Sequence, residues 1–226
     1  MPAWNRLAKE KTMNTLKDIV DHYVKCYKPH HAEELRRYRD FLNASKQADS
    51  IIAEVLLIGA HQTRLHDMPS WQVDAKCAID VLAASKPWKK SYGSFDEIYE
   101  DIKKLIGSIK HIGPLTIYDV ALRLAARFNN PAMMPNKVYL SAGPLRAAKI
   151  LYANSNLKTI GAFVMACAFP PDFQKLTCED IEDLLCVMGH YDVFSNYANL
   201  DNVPCPAKKT NICILPSRLL GSKYLI

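Results

Sequence analysis

Ile98, Ile102, Leu105 and Ile109 recur at helical spacing, and Val120, Leu124 and Phe128 do so again after a Gly113-Pro114 pair. Apolar residues three and four apart share one face of an α-helix. Glycine followed by proline stops one helix and opens the next, because proline's missing N–H costs nothing in a first turn. Two helices joined by a tight turn are therefore expected over about 98–128. The chain has only 8 glycines in 226 residues and little apolar–polar alternation of the strand type. The expected fold is all-α, a single multi-helix globular domain.

Other helices are expected at 12–27, 31–43, 73–85, 141–153, 159–168 and 178–188, with a central apolar helix from Ile51 to Ile58. Ser45 is read as the N-cap of that central helix, with Asp49 near its first turn. Ser94 with Glu97 and Thr177 with Asp180 have the spacing of a capping box. Residues 1–190 are expected to form the helical domain. The Asn- and Pro-rich residues 191–226 are expected to run as an extended tail packed on its surface.

Hydrophobic residues make up 49% of the chain and charged ones 23%, which suits a packed core. No apolar run reaches the roughly 20 residues of a membrane span, and the N-terminus has no apolar core of a secretion signal. A cytoplasmic protein without a membrane partner is expected. The seven cysteines are odd in number and scattered, several in apolar runs. They are expected to be reduced thiols rather than a disulfide framework. Their spacing matches neither a zinc pair nor an iron–sulfur run, so no metal and no cofactor are expected. His61, Arg64, His66 and Asp67 read as a polar loop network.

The net charge is +6, and its placement is informative. Between Val120 and Pro171 there is no Asp or Glu, while Arg123, Arg127, Lys137, Arg146, Lys149 and Lys158 give that stretch a charge of +6. Cations without local anions attract a polyanion. The competing expectation is that acids elsewhere in the chain neutralise them in space.

The turn itself reads Ile109-Lys110-His111-Ile112-Gly113-Pro114-Leu115-Thr116. A glycine in a tight turn admits close approach of an anion to backbone N–H groups, and a helix N-terminus adds a positive dipole end. Such contacts hold a nucleic-acid backbone without reading its sequence. This segment resembles the hairpin of the helix-hairpin-helix DNA glycosylases, the endonuclease III-like superfamily. The superfamily pattern is Leu-Pro-Gly-Val-Gly, two variable residues, Thr-Ala. Ile109 matches the Leu, Ile112 the Val, Gly113 the second Gly and Thr116 the Thr. Lys110 stands for Pro and His111 for the first Gly. That first glycine commonly has positive φ, so either His111 adopts a strained conformation or the turn differs. The resemblance covers roughly 98–150.

The resemblance implies an all-α, glycosylase-like fold and DNA, more than RNA, as partner. It also implies two catalytic positions that this chain lacks. Leu115 stands where bifunctional members carry a lysine nucleophile. Ala132 to Lys137 stand where members carry an aspartate. The expected nucleic-acid contacts are Lys110, His111, Ile112, Gly113, Leu115 and Thr116 at the turn. Lys137, Arg146 and Lys149 would join them around the start of the following helix, capped by Ser141 with Pro144 in its first turn. The reading is a DNA-binding protein without standard glycosylase catalysis. The alternatives are a repair glycosylase with a relocated acid, Asp172 among the possible replacements, and a helical protein-interaction module. Oligomeric state is left open.

Overall fold

The computed structural model describes residues 14–57, 69–153 and 163–205. Among them lie eight α-helices. They are α1 (Leu16–Cys26), α2 (Lys28–Ala44), α3 (Asp49–Leu57), α4 (Pro69–Ser85), α5 (Phe95–Ile106), α6 (Pro114–Ala126), α7 (Ala142–Ala153) and α8 (Cys178–His190). The only sheet among the described residues is one antiparallel pair, β1 (Val138–Tyr139) with β2 (Phe163–Val164). The described residues are mostly helical, as the periodicity predicts.

Local signals explain most helix starts. Ser94 accepts a hydrogen bond from the Glu97 N–H, while the Glu97 carboxylate accepts from Gly93 rather than from Ser94. Thr177 and Asp180 form a complete capping box, and so do Thr15 and Asp18, a pair the sequence reading passed over. Ser45 does not cap α3. It ends α2 in extended conformation and its hydroxyl accepts from the Gln47 N–H, so α3 starts only at Asp49. Ser141 precedes α7, yet its Oγ has no hydrogen-bond partner within the protein. Its hydroxyl does not cap that helix.

Buried apolar side chains form two main clusters. The first gathers α3, α4, α5 and α6 around Leu56, Leu57, Leu82, Ile98, Ile102, Ile106 and Leu124. The second gathers α1, α7 and α8 with β1 around Ile19, Tyr23, Val138, Ile181, Leu185 and Met188. It unites the first and last described segments, because Val193, Phe194, Leu200 and Val203 are also buried there. Residues 191–205 thus enter the core through a short 3₁₀ turn at Tyr197–Asn202. The remainder of the expected tail, 206–226, lies outside the described residues, as does the polar loop at His61 to Asp67.

Two further expectations are corrected. The helix expected at 159–168 is, over its described part, strand β2 followed by a 3₁₀ turn at Ala166–Ala168. Val164 pairs opposite Val138, and the Lys137 ammonium lies 4.5 Å from the centre of the Phe163 ring. Tertiary pairing of a β-branched and an aromatic residue overrides weak helical periodicity.

The second correction concerns the cysteines. Cys26 and Cys205 form a disulfide with Cα atoms 4.9 Å apart, bridging 179 residues of sequence. No local spacing announces a pair so distant. It ties the end of α1 to the last described segment. Replacing Cys26 with Ala, or adding reductant, is expected to cost about 2 kcal/mol or more of stability. Urea unfolding with and without reductant measures it. Coincident curves would contradict the pairing. Cys77 and Cys167 are exposed free thiols and Cys178 is a buried one.

Candidate nucleic-acid interface

α5 and α6 pack on each other and are joined by residues 107–113. Ile112 anchors the turn, 5% exposed in the first cluster, and Ile109 packs beside it. Ile106, Ile112 and Ile117 fasten both arms of the turn to the core.

His111 occupies the left-handed region, with φ 63°. Of the two outcomes open to the sequence, strain at His111 is the one observed. Its Nδ1 lies 2.7 Å from Asp74 Oδ2 on α4. A carboxylate only accepts, so Nδ1 carries the hydrogen.

Gly113 is the N-cap of α6 at φ −94° and ψ 176°, and it supplies no side-chain hydrogen bond. That backbone conformation suits any residue. A Cβ built on Gly113 would meet nothing within 4 Å. The fold itself therefore does not require glycine here. The open space faces the uncapped start of α6, where only Pro114 lacks an N–H. Lys110 is exposed beside it, and Lys104 is exposed in the last turn of α5. Thr116 is buried at 5% exposure and Leu115 is half-buried.

The other expected contacts are elsewhere. Lys137 pairs with Asp96 at 2.9 Å, at the start of α5. That is roughly 16 Å along the helix from the turn at the standard rise. Burial works against ionisation of Asp96, but hydrogen bonds from Tyr139 and Lys137 outweigh it and hold the carboxyl below its usual range. Arg146 donates to the Gly189 carbonyl at 2.9 Å and pairs with Asp192 at 3.3 Å. It thereby serves the C-terminal end of α8. Lys149 is exposed one turn further along α7.

The acid-free stretch is therefore neutralised in good part by acids from other elements. Arg123 is 4% exposed, with Nη1 donating to the Leu56 carbonyl at 3.2 Å. Arg127 lies over the Phe128 ring at 5.3 Å. Lys158 lies outside the described residues. Lys137 and Arg146 are thus engaged by acids of other elements, and Lys149 is exposed on α7.

Beside Leu115 the structure opens a small recess of about 30 Å³, lined also by His31, Glu34, Asp119, Arg123, Glu182 and Asp183. That is room for roughly two waters. Glu182 is 6% exposed, and burial, then the neighbouring Asp119 and Asp183, push its pKa well above the ordinary carboxylate range. Asp119 Oδ2 has no hydrogen-bond partner within the protein and lies 3.8 Å from Arg123 Nη2. The sequence reading missed this recess. A signal was present, since Glu182 shares a helical face with Cys178 and Leu185, where an apolar residue is expected.

Among the described residues no group of three or more His, Cys, Asp or Glu is placed to hold a metal ion, and no helix is long and apolar enough to cross a membrane. Comparison with protein-family models, with curated proteins and with solved structures finds no match to this chain.

Proposed function

We propose that this protein binds DNA by its phosphate backbone, through the turn 107–113 and the N-terminal end of α6, in the manner of a helix-hairpin-helix element. One observation carries the reading. Gly113 leaves open space at an uncapped helix N-terminus, although neither its backbone angles nor its neighbours demand glycine. A bare glycine there lets a phosphate oxygen reach the first N–H groups of α6, with the positive end of the helix dipole behind them. Lys110 and His111 lie in the turn that leads into it. DNA is favoured over RNA by the resemblance of 109–116 to the superfamily pattern. The left-handed His111 supports that resemblance, since it stands where the pattern has its first glycine.

Phosphate binding releases counterions, so affinity for a generic duplex should fall steeply with salt. Anisotropy of a labelled duplex at about 50 and about 200 mM salt tests this, with a several-fold loss expected. Affinity that does not change with salt would leave the helical protein-interaction module as the better account. A cytoplasmic location goes with this reading only if the Cys26–Cys205 bond survives a reducing compartment, where disulfides are rare.

A second reading rests on the recess beside Leu115. Glu182, whose pKa burial raises, close to Asp119 is the arrangement of an acid–base pair. The recess admits water but neither a base nor a sugar, so this reading requires it to open before a nucleotide reaches Glu182 and Asp119. Asp119 would then take the proton of a water attacking the sugar C1′ as the C1′–N bond breaks, and Glu182 would protonate the departing base. Acid lining also favours positive charge on the sugar. Release of a free base from duplexes carrying deaminated, oxidised or alkylated bases, lost in Glu182→Gln, would support this reading. No release from any of them would remove it.

A further inference from the structure

The recess beside Leu115 lies where α2, α6 and α8 meet. His31, Glu34, Leu35, Leu115 and Asp183 make a half-buried rim. Asp119, Leu122, Arg123 and Glu182 make a buried floor. Glu182 is the group the fold leaves unanswered. At 6% exposure it makes no hydrogen bond and no ion pair among the described residues, yet it lines the recess. Asp183, by contrast, accepts from the Tyr23 hydroxyl at 2.9 Å. A buried carboxylate is paired or gives up its charge. Burial and the charges of Asp119 and Asp183 already disfavour the ionised form of Glu182. A proton quiets the site in one way, and a bound cation does so in another.

Size and lining select the cation. The recess holds about 30 Å³, a water-sized space that an ammonium head fills and a planar guanidinium exceeds. No aromatic ring lines it, so it lacks the cage that suits a quaternary ammonium. Among the described residues no three His, Cys, Asp or Glu are placed around one metal ion. A primary ammonium group asks less, since its three N–H donors each need only a separate acceptor. Leu35, Leu115 and Leu122 offer apolar surface to the carbon chain attached to it.

We propose that the recess binds the head of a primary alkylammonium ion, with Glu182 and Asp119 accepting its N–H groups on the floor and the carbon chain leaving over Leu35 and Leu115. The site needs neither DNA at the turn nor release of a base. Binding displaces a proton from Glu182 to solvent, so affinity rises with pH, by at most about tenfold per unit. The charged and titratable groups facing Glu182 are Asp119 and Arg123 from α6, His31 and Glu34 from α2, and Asp183 on α8 itself. Tyr23 from α1 and Tyr118 from α6 also feel its charge, and burial keeps both hydroxyls neutral.

The experiment is a titration of the full chain with n-propylammonium chloride, read by ¹³C NMR of the leucine methyls. Tetramethylammonium chloride at the same concentrations controls for ionic strength. Saturable shifts at Leu115 and Leu122 with propylammonium, and none with tetramethylammonium, are expected. Glu182→Gln keeps the shape of the floor and should weaken propylammonium binding at least about tenfold, the scale of one charge-assisted hydrogen bond, and flatten its pH dependence. A parallel titration with Nα-acetyl-lysine methylamide distinguishes the sources of the head group. Tighter binding than propylammonium supports a lysine side chain of a partner as the ligand, and equal or weaker binding supports a free amine. Indistinguishable, unsaturable shifts with the two ions in the native protein overturn the site, as does unchanged propylammonium affinity in folded Glu182→Gln.

Discussion

Arg123→Met is expected to cost about 3–5 kcal/mol of stability, the scale for breaking a buried charge interaction on one side. For a chain of this size that corresponds to a fall in Tm on the order of 10 °C. The guanidinium is nearly inaccessible at 4% exposure. Its Nη1 donates to the Leu56 carbonyl, near the end of the described part of α3. Its plane lies over the Tyr38 ring, 5.2 Å from the centroid. It is also the cation nearest Asp119 Oδ2, at 3.8 Å. Methionine fills the volume but leaves the carbonyl and the carboxylate buried. Arg123→Met with Asp119→Leu should recover part of the loss, since the orphaned charge goes too. Thermal unfolding of the three proteins measures this, and a single-variant loss below about 1 kcal/mol would contradict the structural role. DNA affinity of folded Arg123→Met should be unchanged, because Arg123 faces the core.

Arg123 also marks where the sequence was legible and where it misled. The eight helices follow from apolar spacing and from caps such as Thr177 with Asp180, because those signals lie within a few residues of one another. Pairings across the chain carry no such signal. Cys26 with Cys205, Lys137 with Asp96, and Arg146 with Asp192 each join residues tens of positions apart or more. The run from Val120 to Pro171 therefore looked like an uncompensated cationic surface, although its acids are supplied by α5, α6 and the chain after α8. β2 was missed because two residues pair through neighbours that only the fold provides.

The turn is a mixed case. Its apolar anchors, its glycine and its proline were all legible, and so was the tension at His111. The sequence had no means of naming Asp74 as the partner that relieves it. Nor could it show that Lys137 and Arg146 are held by Asp96 and Asp192. The candidate site contracts accordingly to residues 110–116, with Asp74 against His111.

Gly113→Asp separates binding from folding at that site. Aspartate is among the favoured N-cap residues, and its charge suits a helix N-terminus. The backbone there is already extended and the Cβ position is open. The variant should therefore be as stable as the native protein or more so, by about a few tenths of a kcal/mol. The same carboxylate would occupy the space kept for a phosphate and repel it. Loss of one charge-assisted phosphate contact, worth about 1.5–3 kcal/mol, lowers affinity roughly 10- to 100-fold. The decisive measurement is duplex affinity of native and Gly113→Asp proteins at about 50 mM salt, with their melting temperatures measured in parallel. A Tm equal to or above the native value with at least about tenfold weaker binding is the result predicted. Native-level affinity in a folded Gly113→Asp protein would contradict the turn as the place where DNA is held.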